Sequence, residues 1–292
     1  MSQKNISKSA ADLGLVTVTI FWGTTFILSK IALTQISLIT YLVIRLNLAA
    51  IVLILFSLRY RKFFNKQTFY HGIILGVFLF FSYLFQMWGI QYTTASNAGF
   101  ITGLNVVFVP LFSVLFFGDH PSKASIAGVI VATIGLFFLS GGDYSLLGKG
   151  DWLVAICAVT VTFHVILTGK FAPKNNVFVL TAVQLATTAV LSLFLLPFEQ
   201  DPLMTLNIEM ISLLIYLALF GTVYTFLMQT AMQRFTTATR TALVFSLEPV
   251  FAALFAYLIA AEKMTSSGWF GGLLIVCGML IAEVRWEKIV KR

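Results

Sequence analysis

The segment Gln91-Tyr92-Thr93-Thr94-Ala95 recurs later in the chain as Gln233-Arg234-Phe235-Thr236-Thr237-Ala238, with one residue inserted. The similarity continues without a gap into the residues that follow each copy. The matched positions that carry the most weight are Gly128 with Gly271, Gly135 with Gly278, and Asn105 with Glu248; upstream, Asp12 aligns with Asp151 and Arg45 with Gln184. We therefore predict two related halves, residues 1–145 and 146–292.

The composition assigns both halves to a membrane. Of the 292 residues, 59% are hydrophobic and only 10% are charged, and the mean hydropathy is +0.95. A soluble domain carries about 25% charged residues, so a soluble enzyme is excluded. A membrane-spanning helix needs about 20 apolar residues, and ten of them would leave no room for a separate catalytic or nucleic-acid-binding domain.

Ten apolar runs separated by short polar turns can be read along the chain, five in each half. We therefore predict an all-α integral membrane protein with ten transmembrane helices. The runs cover about 12–33, 37–58, 70–91, 94–118, 124–140, 151–170, 176–198, 209–233, 236–261 and 267–285.

The loop charges predict the orientation. With the N-terminus inside, the inner segments hold 15 of the 19 Lys and Arg residues, and six of the 11 acidic residues fall outside. Cytoplasmic loops carry such an excess of cations. This bias predicts a multi-pass protein of the inner membrane with both termini in the cytoplasm, and it explains the net charge of +8 without nucleic acid as a partner. The two cysteines lie inside apolar runs and predict no disulfide framework.

Five helices in each half means that the halves enter the membrane from opposite sides. Such an inverted-topology repeat is typical of secondary transporters, which bind substrate near the membrane midplane between the two repeats. The sequence has no phosphate-binding loop, and no Cys or His cluster has metal-site spacing. We therefore expect no cofactor, and transport that is facilitative or driven by an ion gradient.

Several stretches resemble the EamA-type branch of the drug/metabolite transporter superfamily over nearly the whole chain. They are Trp22-Gly23-Thr24-Thr25-Phe26 with Lys30 and Arg45, and Leu247-Glu248-Pro249-Val250-Phe251-Ala252-Ala253-Leu254 with Ala261-Glu262-Lys263-Met264-Thr265. The resemblance implies a ten-helix carrier whose central cavity is lined mainly by helices 1, 3, 4, 6, 8 and 9. Members of this family move amino acids, other metabolites or drugs, often outward.

Glu248 and His164 are the candidate proton-coupling groups, because polar groups inside a bilayer are costly and need a reason. Glu248 precedes Pro249, whose missing N–H predicts a kink in helix 9. His164 is predicted at a similar depth on helix 6, so the two side chains could line one cavity or share a proton. The alternative is a structural carboxyl bonded to a neighbouring helix and a neutral imidazole bonded to a carbonyl.

Helices 4 and 9 are expected to line the cavity. Asn105 matches Glu248 in the repeat, and Thr102 lies one turn before it on the same helical face. Val244 lies one turn before Glu248 in the same way. Asn and Thr also bond neighbouring membrane helices to one another, which is the alternative role.

Trp22, Tyr83 and Tyr224 lie away from the membrane interfaces, where a buried ring with a polar group needs a hydrogen-bond partner. With Gln86, one turn from Tyr83, they are candidate substrate-binding residues. Packing between helices is the alternative for each ring. Arg45 is expected to have a structural role, by reaching outward or by pairing with an acid, because the family resemblance implies that helix 2 is peripheral. A contact with a substrate carboxylate is the alternative for Arg45.

The expected function is a secondary transporter, expected to export small metabolites such as amino acids or their derivatives by alternating access. Its expected partners are a small-molecule substrate, the lipid bilayer and, as a candidate coupling ion, the proton; a monomer or a homodimer would serve. The alternatives are a carrier of nucleotide- or phosphate-linked metabolites, which would need several inward-facing cations, and an intramembrane enzyme or a lipid-handling protein.

Overall fold

The computed structural model describes residues 7–93, 95–139, 148–199, 207–260 and 265–283. Within these ranges the regular secondary structure is helical, as the apolar runs predict. Thirteen α-helices follow one another: α1 (Lys8–Ala32), α2 (Leu38–Ser57), α3 (Lys66–Ile90), α4 (Ala95–Gly103), α5 (Asn105–Phe117), α6 (Lys123–Leu139), α7 (Lys149–Phe171), α8 (Val177–Leu193), α9 (Ile208–Ala218), α10 (Thr225–Met232), α11 (Ala238–Phe245), α12 (Glu248–Ala260) and α13 (Ser266–Glu283).

Eight helical segments among the described residues are long and apolar enough to cross a membrane. Two further apolar helices, Lys123–Leu139 and Ser266–Ala282, are shorter. The helical membrane class is therefore confirmed, with eight long spans. Several spans combine two elements, because α4 with α5, α9 with α10, and α11 with α12 each follow on almost directly.

Two of the predicted continuous helices are broken near their middles. The fourth apolar run stops at Gly103 and restarts at Asn105, and the ninth stops at Phe245 and restarts at Glu248. In the ninth run the cause is Pro249, whose ring clashes with the carbonyl four residues back, which belongs to Phe245. In the fourth run the break follows Gly103, a poor helix former. Pro110, by contrast, lies inside α5 without ending it.

The eighth run contains a different irregularity. A π-helix, Leu219–Tyr224, joins α9 to α10. Such a turn holds one residue more than an α-helical turn, so it changes which side chains face inward after it. It also presents the Gly221 carbonyl to a buried side chain of α2.

Helices α6 and α13 pack backbone against backbone through glycines. A Cβ on Gly128 would lie 2.5 Å from the carbonyl oxygen of Gly278, and one on Gly278 would lie 2.7 Å from that of Gly128. Gly135 and Gly271 approach each other in the same way, at 2.6 and 2.5 Å. Small residues permit such contact between membrane helices. Gly278 is the sequence match of Gly135, and Gly271 is the sequence match of Gly128, so the two contacts are reciprocal.

Candidate functional site

A partly open cavity lies between the broken helices. Its wall comes from the helices that the family resemblance implies, and from α2 in addition. The lining residues are Trp22, Thr25, Arg45, Leu79, Ser82, Tyr83, Gln86, Thr102, Asn105, Cys157, Val161, Phe226 and Glu248. Six of the eight residues that the sequence analysis selects are among them, whereas His164 and Tyr224 are not.

Both helix breaks open onto this cavity. Asn105 is the first residue of α5 and Glu248 is the first residue of α12. These two positions match in the sequence repeat, so each half contributes one polar side chain from the start of a half-helix. Thr102, in the last turn of α4, lines the cavity beside Asn105.

The Glu248 carboxyl is the acidic group of the cavity wall. Only 9% of the residue is exposed, and no side chain in the described part of the chain forms a hydrogen bond with it. The Oγ1 of Thr102 and the Oδ1 of Asn105 are also buried, without a hydrogen-bond partner among the described residues. Buried polar atoms are normally paired, so these two unsatisfied atoms beside the Glu248 carboxyl indicate a place for a polar ligand or for water.

The Arg45 guanidinium contributes a positive charge to the same wall and is 1% exposed. Its five N–H groups donate to neutral oxygens: Nε to Thr222 Oγ1 at 3.0 Å, Nη1 to the Tyr41 hydroxyl at 2.6 Å and to Ser29 Oγ at 3.5 Å, and Nη2 to the Tyr83 hydroxyl and the Gly221 carbonyl, each at 3.2 Å. Arg45 therefore has the expected structural role, but it is at the cavity and not at the periphery, and it pairs with no acid among the described residues.

Aromatic rings form much of the remaining wall, and the ring of Phe226 is at their centre. It lies 5.5 Å from the ring of Trp22 and 6.0 Å from that of Tyr83, measured between centroids. The guanidinium of Arg45 stands 4.8 Å above the Tyr83 ring. Gln86 lines the cavity one turn further along α3. Rings of this kind can contact the apolar part of a ligand and attract a cationic group.

His164 lies behind this aromatic wall. Its Nε2 is 3.3 Å from the Oε1 of Gln184, and its ring meets Phe226 edge-on at 5.6 Å. Phe226 lines the cavity and His164 does not, so the two predicted proton-coupling groups do not line one cavity. The predicted depth in the membrane is not enough to place a side chain at the cavity. The direction in which the side chain points around its helix axis also matters, and it separates Glu248 from His164.

Tyr224 faces away from the cavity as well. Its hydroxyl is 2.7 Å from Thr17 Oγ1, and its ring meets Phe21 edge-on at 5.0 Å, so it joins the eighth apolar run to α1. It is the last residue of the π-helix, after which the regular period of 3.6 no longer predicts the face. Val244, also expected at the cavity, is 2% exposed and packs in the core with Phe245.

Seven lining residues were not among the selected site residues. Arg45 lines the cavity, although the sequence predicts it on a peripheral helix. Ser82 and Thr25 carry the same signal as Thr102, a hydroxyl within an apolar run. No sequence signal separates the remaining four from the rest of the core; they are Leu79, Cys157, Val161 and Phe226.

The described residues contain no group of three or more His, Cys, Asp or Glu side chains that could hold a metal ion. The chemistry that the cavity offers is therefore that of its own side chains. It can bind an amine through a carboxylate, orient a polar group through Thr102 and Asn105, and cover an apolar group with rings.

Comparison with known proteins agrees with the resemblance seen in the sequence. The model of the EamA-like transporter family matches residues 9–141 and 148–283, one segment in each half. A protein of Archaeoglobus fulgidus named "Uncharacterized transporter" is 33% identical over 97% of this chain and 88% of its own length. The "Uncharacterized transporter YoaV" of Bacillus subtilis is 22% identical over 94% of this chain and 97% of its own. One solved crystal structure shares the fold, with a TM-score of 0.79, 19% identity, and coverage of 97% of this chain and 99% of that one.

Proposed function

We propose that this chain, which belongs to the EamA-like transporter family, is a secondary transporter of small metabolites that carry an amine. Amino acids and their derivatives are the first candidates, and export from the cytoplasm is the expected direction. The single observation that carries the substrate class is the Glu248 carboxyl, which lies buried at the cavity without a hydrogen bond from any described side chain.

An uncompensated carboxylate in a cavity of low dielectric attracts a cation. A substrate ammonium at Glu248 would supply both the charge and the missing donors. The Arg45 guanidinium also charges the wall, but its N–H groups already donate to protein oxygens, so it provides no free donors for a second anionic group of the substrate.

The same charges argue against phosphate-linked substrates. Recognition of a phosphate uses several donors from cationic side chains, often as bidentate arginine pairs. Within the described part of the chain, Arg45 is the cation of the cavity wall, and its five N–H groups already donate to protein oxygens. Membership of a transporter family favours transport over an intramembrane enzyme.

The proposed architecture is ten spans in two inverted halves, residues 1–145 and 146–292, with both termini in the cytoplasm of the cell and the spans in its inner membrane. Three observations support it. The family model matches once in each half. The two helix breaks fall at matched positions. The glycine contacts between α6 and α13 are reciprocal. In this arrangement the halves would rock about the cavity to open it alternately to the two sides.

Coupling to protons is proposed at Glu248, which would hold a proton in one state and release it in another. His164 is kept as an indirect candidate, because it reaches the cavity only through its contact with Phe226.

The test begins with a thermal-shift screen of purified protein against amino acids, their amides and their esters. Compounds with a free amine should raise the melting temperature, whereas the matched N-acetyl compounds should not. A hydrogen bond to a charged group contributes about 1.5–3 kcal/mol, so Glu248→Gln should weaken amine binding by about 10- to 100-fold. Glu209→Gln, which changes an exposed carboxyl of α9, is the matched control and should leave binding unchanged.

Proteoliposomes then separate transport from coupling. At saturating substrate, Glu248→Gln should still exchange internal for external substrate, since glutamine keeps an acceptor oxygen. It should lose accumulation driven by a pH gradient alone. Accumulation at the wild-type level would show that Glu248 is not the coupling group, and unchanged affinity for amines would remove the substrate assignment.

A further inference from the structure

Two aspartates at matched positions of the repeat hold segments from the opposite halves. Asp12, on α1, accepts a hydrogen bond from Thr236 Oγ1 at 3.2 Å. Asp151, on α7, accepts one from Thr93 Oγ1 at 2.5 Å. Thr236 and Thr93 are themselves matched positions. In the proposed arrangement these contacts lie at opposite ends of the cavity, and we call Asp12, Thr236 and Arg240 the inner latch, and Asp151, Thr93 and Gly148 the outer latch.

The two latches differ in what the second carboxylate oxygen contacts. At the inner latch, Nη2 of Arg240 donates to Oδ2 of Asp12, which makes an ion pair between α1 and α11. At the outer latch, Oδ2 of Asp151 accepts from the backbone N–H of Gly148 at 2.9 Å, just before its own helix. Among the described residues, the second oxygen of Asp12 therefore joins the two halves, whereas the second oxygen of Asp151 caps the start of its own helix.

The ion pair is sheltered from solvent. The side chain of Asp12 is 7% exposed and that of Arg240 is 17% exposed, so water and salt screen their attraction only in part. Hydrogen bonds between ionised partners are about twice as strong as neutral ones. The position that matches Arg240 in the first half holds Asn97, a neutral residue. The inner latch is therefore the stronger of the two.

From this asymmetry we infer that Arg240 is a positioning residue that sets the resting state of the carrier. Its ion pair with Asp12 keeps the inner end closed more firmly than the outer latch keeps the outer end closed, so without substrate the cavity opens preferentially at the Asp151 end. This inference rests on the proposed function, since it presupposes that the two ends open alternately.

The test measures access to the cavity and needs no substrate. Cys157 and Cys277 are replaced by alanine, and Gln86→Cys places one thiol on the cavity wall. A membrane-impermeant maleimide is added to right-side-out and to inverted vesicles. The ratio of the two labelling rates reports which end is open. Transport of the same variants in the native background gives a second readout.

Arg240→Asn copies the residue of the opposite half. We expect it to raise the labelling rate from the inner side, and to lower it from the outer side, so that the ratio changes about five- to tenfold; a tenfold change corresponds to about 1.4 kcal/mol. Asp12→Asn, which keeps an acceptor for Thr236, should do the same if Arg240→Asn folds poorly. Arg240→Lys should largely preserve the ratio because it keeps the charge.

Arg234→Gln is the matched control, because it removes a cation from the segment just before α11, outside the inner latch. An unchanged ratio in both Arg240→Asn and Asp12→Asn, or an equal change in Arg234→Gln, would overturn the inference while the proposed function stood. A Gln86→Cys thiol that no reagent reaches from either side would instead refute the accessible cavity, and with it the latches.

Discussion

The contact between α6 and α13 gives the sharpest stability prediction, because two adjacent glycines face opposite environments. A Cβ on Gly271 would lie 2.4 Å from the backbone nitrogen of Leu139 and 2.5 Å from the carbonyl oxygen of Gly135. A Cβ on Gly272 would meet only a methyl carbon of Val250, at 3.5 Å, which is ordinary contact. Gly271→Ala should therefore destabilise the protein, and Gly272→Ala should not.

The magnitude follows from comparing the two variants. Both replace glycine by alanine inside one helix, so both gain the same intrinsic helix propensity. Their difference isolates the cost of forcing a methyl group between two backbones. Overpacking a well-packed contact costs about 1–3 kcal/mol, and the upper part of that range applies here because backbone atoms cannot rotate away.

Thermal unfolding in one detergent, followed by the loss of monodisperse protein, measures this difference. For chains of 150–250 residues, 1 kcal/mol corresponds to about 2–4 °C, so Gly271→Ala should melt roughly 3–10 °C below Gly272→Ala. Equal melting temperatures, or a more stable Gly271→Ala, would refute the close approach of the two helices.

Three further predictions use other assays. A reporter domain fused after Lys66 should be active only in the cytoplasm and one fused at Gly148 only in the periplasm, and finding both on one side would contradict the five-plus-five layout. A thiol introduced by Asn105→Cys should react with small water-soluble reagents and be protected by substrate, whereas Val244→Cys in the core should stay inert; equal reactivity would contradict the cavity wall. Arg45→Lys keeps the charge but loses at least two of five hydrogen bonds, so it should lower the free energy of unfolding by about 3 kcal/mol in denaturant titrations, and an unchanged stability would contradict the buried network.

The helices were predictable because hydropathy reports length directly. The second apolar run, about 37–58, corresponds to α2 at Leu38–Ser57. The helix breaks and the π-helix were harder to predict from the sequence. Each leaves backbone groups that tertiary contacts must satisfy, and hydropathy does not report tertiary contacts. Pro249 predicts the break between Phe245 and Glu248, because proline lacks an N–H and its ring clashes with the carbonyl four residues back. The break between Gly103 and Asn105 has no comparably strong signal within residues 94–118. Only the alignment of this run with the run that contains Pro249 indicates it.

The site was predictable in the same uneven way. A polar side chain in an apolar run is visible in the sequence, and this signal placed Thr102, Asn105 and Glu248 on the cavity wall. It did not place His164 there, since a polar residue can instead contact a neighbouring helix, as the Nε2 of His164 does with the Oε1 of Gln184. The apolar part of the wall, including Phe226, carries no signal at all because lipid, core and cavity accept the same side chains.

Arg45 shows why the network behind the wall could not be predicted. A lone arginine in an apolar helix was expected to reach for the membrane surface, because burying its charge is costly without partners. The structure supplies those partners from several helices, and one of them is the Gly221 carbonyl of the π-helix. The π-helix in the eighth run and the buried Arg45 in the second run therefore depend on each other. The sequence of either run alone does not indicate this contact. Backbone irregularity inside a membrane is tolerated where protein or a water-filled cavity satisfies the freed groups. The three irregular runs, the fourth, eighth and ninth, all contribute residues to the same cavity. The positions of the irregularities along the chain therefore indicate the cavity independently of its side chains.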